Sequence, residues 1–221
     1  MIFYDIFRTI GLILGYPLQL LFFKRKTYYE DKKSTPPIRK GGKLIITNHF
    51  NMFDYVLTSF IVCPRKLNAV ASEQPFKSRI TRFGMKFFGA IEANRETKSM
   101  DFMGICADLI KKGQLVQIYP EGRNTPDGKI HEFKRSYIVI AHMAKAPIVP
   151  IITDGNYGLF KRASVIIGKP IDLSQFITSE KPIPTKPEMI KANDYIFNKV
   201  LELREKLEEL KAEKKNRRRA R

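Results

Sequence analysis

The 221-residue chain reads as an α/β protein: a single domain with a central, mostly buried β-sheet flanked by helices, carrying helical appendages at both ends. Three observations predict this. Short apolar runs rich in β-branched residues alternate with stretches of helical periodicity, the pattern of a sheet covered on both faces. Apolar residues make up 43% of the sequence, enough for a sizeable core and too many for a disordered chain. Two proline-containing polar stretches, 30–42 and 181–187, set the alternating part off from what precedes and follows it.

The first appendage is apolar. No residue from Thr9 to Phe23 is charged, and Lys24-Arg25-Lys26 follows at once. This run falls short of the ~20 residues a spanning helix needs, and Pro17 should kink or break a helix there. Asp5 stands where a signal peptide would carry basic residues, and no small-residue cleavage site follows Phe23. Residues 1–26 therefore read as an amphipathic membrane-docking helix or helical hairpin in the bilayer interface, its basic triplet meeting anionic headgroups. A helical pair packed on the domain's own core, or a full span, are the other readings of the same residues.

Residues 27–42 read as a linker. Lys43–Thr47 (KLIIT) is a strand; Asp54–Val62 is helical and stops before Pro64; Leu67–Ser72 is a strand. Pro75 opens a helix carrying Lys77, Arg79, Arg82 and Lys86. Phe87–Glu92 is a candidate strand, Ser99–Lys112 a helix stopped by Gly113, and Leu115–Tyr119 a strand. Lys134–Lys145 is a helix, and Ile148–Thr153 and Ser164–Ile167 are two further strands. Pro150 inside the former implies a bulge or a sheet edge. The domain so delimited covers 43–179. Beyond it, Ile196, Val200, Leu203, Leu207 and Leu210 recur at spacings of four and three, so residues 188–213 read as a C-terminal amphipathic helix, followed by a frayed basic tail, 214–221.

Forty lysines and arginines against 22 acidic residues leave a net charge of +18, which implies an anionic partner. Cys63 and Cys106 lie far apart without metal-ligand spacing, and with only three histidines a structural zinc site has no ligand set. No helix-turn-helix, zinc-finger or RNP aromatic motif accompanies the charge, so nucleic acid is not the expected partner.

Four constellations carry chemistry. Asn48-His49-Phe50-Asn51-Met52-Phe53-Asp54 follows a strand directly, placing His49 in a loop and Asp54 near a helix start, where the carboxylate can fix the imidazole tautomer for a general base. By spacing alone it is also a surface histidine followed by a capping aspartate. Tyr119-Pro120-Glu121-Gly122-Arg123 follows another strand; Gly122 permits close backbone approach, and Arg123 can fork onto a phosphate. Gly89–Arg95 delivers a lone arginine from a third strand, and Ile148-Val149-Pro150-Ile151 is the fourth.

In this order and with these gaps the four resemble the blocks of the glycerolipid acyltransferase family, most nearly its bacterial 1-acylglycerol-3-phosphate O-acyltransferases, over about residues 40–170. His49 and Asp54 match the family's His-x4-Asp block, Arg95 the arginine ending the second block, Pro120-Glu121-Gly122 the Pro-Glu-Gly core, and Pro150 the proline of the fourth. The family commonly reads Glu-Gly-Thr-Arg where this chain has Glu-Gly-Arg-Asn, so Arg123 sits one place early, and Arg95, Lys134 or Arg135 could supply or share its charge. The resemblance implies acyl transfer from acyl-CoA or acyl carrier protein to the sn-2 hydroxyl of lysophosphatidate, giving phosphatidate. His49 and Asp54 would be catalytic, and Arg95, Glu121, Gly122, Arg123 and Pro150 would bind substrate. No metal or other cofactor is implied. The site would work on a cell membrane of anionic lipids, on its cytoplasmic face. Another lysophospholipid as acceptor is the alternative.

Overall fold

Successive residues of a strand point to opposite faces, and in β2 (Lys43–Thr47) both faces are covered: Leu44, Ile45 and Ile46 are all fully buried. Each contributes about 1.5–3 kcal/mol by leaving water. The computed structural model describes residues 2–31, 38–93 and 101–219. Among them, β2 is joined by β1 (Lys26–Tyr29), β3 (Leu67–Ser72), β4 (Ala90–Ala93), β5 (Leu115–Ile118), β6 (Ile148–Thr153) and β7 (Ser164–Ile167). The helices are α1 (Ile2–Phe23), α2 (Phe53–Val62), α3 (Arg79–Phe87), α4 (Asp101–Lys111), α5 (Ser136–Ala144) and α6 (Lys186–Arg219).

The strands form one sheet in the order β1-β7-β6-β2-β5-β3-β4. β2 to β6 run parallel, and β7 and β1 run the other way. Leu44, Ile46, Ile148, Ile152 and Ile166 pack beneath α4, α5 and α6 on one face. Ile45, Val149, Ile151 and Val165 pack beneath α1 and α2 on the other. The chain crosses from β2 to β3 and β4, returns to β5 beside β2, then moves to β6 on the far side. The carboxyl ends of β5, β2 and β6 are thus neighbours at the point where the winding reverses, where open α/β sheets bind ligands.

Several expectations need correction. The apolar N-terminus is one continuous 22-residue helix rather than a hairpin, with Pro17 inside it. Contacts at both ends hold it: Arg8 is buried and donates to Asn68 Oδ1 at 3.2 Å, while Phe23 is buried on the core. The linker expected at 27–42 begins with a strand, since Thr27, Tyr28 and Tyr29 have the β-forming side chains to pair along β7; residues 32–37 lie outside those described. The helix expected from Pro75 is split into a 3-10 turn at Gln74–Phe76 and α3. The C-terminal helix runs through the basic tail to Arg219. Pro150, expected at a bulge or a sheet edge, is in an interior strand at a bulge. The ladder between β6 and β7 stops beside it: Ile151 pairs with Ile167 but Ile148 with Ile171, so three steps on one strand face four on the other, a bulge that removes the need for the proline's missing N–H.

Thr185 and Glu188 anchor the start of α6. One Glu188 carboxylate oxygen accepts the Thr185 amide (2.9 Å) and hydroxyl (2.7 Å), the other the amides of Thr178 and Ser179 (2.9 and 3.1 Å). These donors, the Thr185 hydroxyl first, push its pKa down to about 2. A depressed carboxylate pKa stabilises the fold above the unfolded value near 4.5 and loses that effect as pH falls toward 2. Glu188→Gln should therefore lower the melting temperature at pH 7, with the difference from the parent shrinking between pH 4.5 and 2. Hydrogen exchange should quicken at Thr178, Ser179 and Thr185. An unchanged melting curve at pH 7 would remove this cap from the account of α6.

Candidate active site

The loop after β2 carries Asn48 and His49, and its backbone is held by both neighbouring strands. Asn48 exchanges two hydrogen bonds with the backbone of Thr153 at the end of β6 (3.0 and 2.9 Å). His49 N donates to Glu121 Oε1 (3.3 Å) beyond β5, and His49 O accepts from the amide and hydroxyl of Thr125 (2.7 and 3.1 Å). The imidazole lies flat on Tyr119, ring centroids 3.9 Å apart at 19°.

Asp54 sits in the first turn of α2 and is fully buried. Its Oδ2 lies 3.2 Å from His49 Nδ1 and accepts the Asn51 amide at 2.8 Å. Its Oδ1 accepts a short hydrogen bond from the Tyr157 hydroxyl. All of these contacts set donors against the carboxylate oxygens, and a hydrogen on His49 Nδ1 is the tautomer that completes the set. Among the described residues no hydrogen bond reaches His49 Nε2, and the side chain keeps 23% of its exposure. An imidazole with its carboxylate partner behind it and a lone pair facing outward can accept a proton from a bound hydroxyl.

Tyr157 is the residue the sequence reading missed. Gly155 N donates to Thr153 Oγ1 (2.9 Å), the Thr153 hydroxyl to Tyr157 (2.5 Å), and Tyr157 to Asp54. Burial, and then the Asp54 charge, push the Tyr157 phenol far above its ordinary value, so it stays a donor. Gly155 has φ +67°, and a Cβ there would lie 2.7 Å from the Phe50 ring. The signal available in sequence was position: Thr153-Asp154-Gly155-Asn156-Tyr157 follows a strand just as the other two loops do.

Glu121 is buried and ties two loops together. Oε1 accepts His49 N, and Oε2 accepts His131 N at 2.9 Å. Burial raises its pKa, and the two amides oppose the rise. Gly122 takes φ +65° with the Lys134 side chain lying across it, where a Cβ would be 2.9 Å from Lys134 Cδ. Arg123 is exposed, with Nη2 3.3 Å from His131 Nδ1, and His131 Nε2 is 2.8 Å from Asp127 Oδ2. His49, Asp54, Glu121, Gly122 and Arg123 thus share the carboxyl end of the sheet. Pro150 does not join them: it lies within β6, next to Gly168 and against the α6 side of the sheet. Arg95 lies outside the described residues. Among the described residues no group of three or more His, Cys, Asp and Glu could hold a metal ion.

A family model described as "Acyltransferase" matches residues 26–154, which takes in β1 to β6 and every cluster residue except Tyr157. The chain is 26% identical over 175 residues to the 1-acyl-sn-glycerol-3-phosphate acyltransferase of Bacillus subtilis, covering 77% of this chain and 85% of that one. It is 24% identical over 198 residues to a chloroplast 1-acyl-sn-glycerol-3-phosphate acyltransferase of Arabidopsis thaliana, covering 75% of this chain and 55% of that one. Among solved structures, the fold matches the 1-acyl-sn-glycerophosphate acyltransferase of Thermotoga maritima with a TM-score of 0.61 at 17% identity, over 89% of this chain and 78% of that one.

Glu121→Gln sets an amide NH2 against one of the two backbone donors that Glu121 now satisfies. The variant should lose about 1–3 kcal/mol in urea unfolding, the cost of a buried donor left unpaired. Hydrogen exchange should quicken at His49 and His131 before it does so in β5. Parental stability and exchange would show that Glu121 does not hold the two loops.

Proposed function

The chain belongs to the acyltransferase family, and from that premise we propose that it transfers a fatty acyl chain from a thioester, acyl-CoA or acyl carrier protein, to the sn-2 hydroxyl of 1-acylglycerol-3-phosphate. The observation that carries this reading is the pairing of a half-exposed His49 with the fully buried Asp54 at 3.2 Å. The relatives' printed names supply the acceptor.

An alcohol attacks a thioester slowly until its proton leaves. In this reading His49 Nε2 takes that proton as the hydroxyl oxygen bonds to the thioester carbonyl carbon. The tetrahedral intermediate collapses, the carbon–sulfur bond breaks, and the imidazolium returns the proton to the departing thiolate. Asp54 keeps Nδ1 protonated and stabilises the imidazolium, and Tyr157 with Asn51 N keeps Asp54 in place. Attack is direct, without an acyl-enzyme: Cys106 is fully buried and its thiol is pushed up to about 12, which leaves it inert. Arg123, Lys134 and Arg95 are the cations assigned to the acceptor's phosphate.

The setting is a membrane surface. α1 turns Ile6, Ile10, Ile13, Leu14, Leu18 and Leu21 outward in one stripe, while Arg8, Gln19 and Phe23 face the domain. Its segment Ile6–Phe23 is long and apolar enough to cross a bilayer, but it packs lengthwise on α2 and α3. A helix held along the domain in this way lies in the interface rather than across the bilayer. The cytoplasmic leaflet, with its anionic lipids, suits the basic residues at its end.

The decisive assay gives the purified chain lysophosphatidate with acyl-CoA or acyl carrier protein and follows phosphatidate by mass spectrometry. His49→Ala and Asp54→Ala should each lower turnover by ~10²–10⁴-fold with the fold retained. Near-parental turnover in either variant would overturn the base assignment; product with a different lyso-lipid and none with lysophosphatidate would overturn the acceptor. Tyr157→Phe should cost about tenfold in kcat, the effect of one hydrogen bond to a charged group. It should also move the acid limb of the pH–rate profile upward, because a carboxylate that loses a donor becomes more basic. A tenfold loss with an unmoved acid limb would make Tyr157 a packing residue only.

A further inference from the structure

Helix α3 buries none of its residues. Ile80 is 85% exposed, Phe83 55%, and Phe88 just beyond the helix 52%. Ile80, Phe83 and Phe87 stand at i, i+3 and i+7, on one face; Arg79, Arg82 and Lys86 repeat the same spacing one place away. A surface helix of a soluble domain normally turns its apolar stripe inward. This one packs against α1 and still keeps Ile80 and Phe83 more than half exposed, with Phe87 half-buried.

A second apolar projection lies at the other end of α1. Gly158 N donates to Phe22 O (3.3 Å) and Ala163 N to Phe23 O (2.8 Å), so the 158–163 loop is fastened to the last turn of that helix. At its tip Phe160 is 99% exposed and Leu159 is exposed beside it. Phe22 also touches Phe53, ring centroids 5.2 Å apart, and Met52 next to it is 77% exposed. Met52 and Phe53 immediately precede Asp54. An apolar belt therefore runs from α3 along α1 to the 158–163 loop and the lip of the site.

The charge along the belt is mainly positive. Residues 6–29, 77–91 and 155–171 contain no Asp or Glu, while Lys24, Arg25, Lys77, Arg79, Arg82, Lys86, Lys161 and Arg162 border the apolar stripes. With Asp5 its one acidic residue in α1, an apolar belt edged mainly by cations is complementary to an anionic bilayer, whose headgroups attract basic residues near the surface.

We propose that α3 and the Leu159–Phe160 tip are two further membrane-insertion points beside α1. The protein then rests on anionic lipid at three places, with the mouth of the His49 site at the edge of the contact. The proposal rests on the membrane reading of α1 and is independent of the transfer chemistry.

The chain has no tryptophan, so one introduced indole reports alone. Four full-length variants are compared: Phe83→Trp, Phe160→Trp, Leu14→Trp in α1, and Tyr195→Trp on the exposed side of α6. Each is mixed with phosphatidylcholine–phosphatidylglycerol vesicles whose acyl chains carry bromine, which quenches indole on contact. Emission from positions 14, 83 and 160 should shift to the blue and be quenched, and position 195 should show neither effect. Separately, Ile80→Asp and Phe160→Asp should each weaken vesicle binding at least tenfold, while turnover of detergent-dispersed lysophosphatidate stays at the parental rate. Quenching at 14 without quenching at 83 and 160 would leave α1 as the sole anchor and overturn the proposal. A blue shift at 83 that grows with protein concentration in the absence of lipid would assign the face to a second copy of the chain instead. No quenching at any position, with phosphatidate still formed, would remove the membrane reading and leave the enzymatic one standing.

Discussion

Asp54 places a carboxyl group at a point with no solvent exposure, and the site is arranged around satisfying its oxygens. A carboxylate taken out of water costs several kcal/mol unless donors replace the lost hydration. Here the donors come from two loops. His49 and Asn51 N belong to the segment just before α2, and Tyr157 comes from 103 residues further along, beyond β6. The requirement therefore reaches across the sheet. Until β6 lies beside β2 and the turn at Gly155 brings Tyr157 back, the carboxyl group has only its local partners. The site is therefore complete only where β6 is paired beside β2.

Burial also divides the work between the two residues. A group that orients an imidazole serves best with fixed geometry and no competing water, which is the state of Asp54. A group that exchanges protons with a substrate must be reachable, and His49 keeps part of its surface exposed. Glu121 repeats the first role on the backbone, holding His49 N and His131 N at once. Both buried carboxylates bear on the position of His49, Asp54 through the ring and Glu121 through the backbone. The charges that remain outward at this end of the sheet are of both signs, Arg123 and Lys134 with Asp127 and Glu132, beside a partly exposed imidazole.

Much of this was legible in the residue order. KLIIT, IVPIIT and the alternation around them have no stable solution but a sheet covered on both faces, and the strand ends fall where the polar loops begin. The His-x4-Asp spacing was legible as well, because one turn of chain suffices to bring Asp54 back to His49. Tyr157 was not: its contact with Asp54 depends on strand order, which periodicity does not encode. β1 was missed because four residues with a charged neighbour on each side carry no pattern, and only pairing with β7 makes them a strand. Pro150 was legible in the other direction: a proline in an apolar strand implies a bulge or an edge, and the bulge lies on the partner strand beside it.

The two faces of the sheet are not equivalent. On one, α4, α5 and α6 close over the core, and the outer side of α6 is dense in both signs of charge, with Lys199–Glu202, Arg204–Glu208 and Lys211–Glu208 pairs along it. That surface is made for water. On the other, α1 and α3 leave apolar side chains outward, and Asp5 is the one acidic residue in the two helices. A lipid acceptor with a long chain loses ~0.8 kcal/mol for every methylene drawn into water, so a site that acts on such a substrate gains most when its opening adjoins the surface that already contacts lipid. Phe22 against Phe53 joins the two: the apolar helix ends beside the basic triplet and one ring from the helix that holds Asp54. In the proposed reading, an acyl chain stays in apolar surroundings along that helix while the hydroxyl reaches His49.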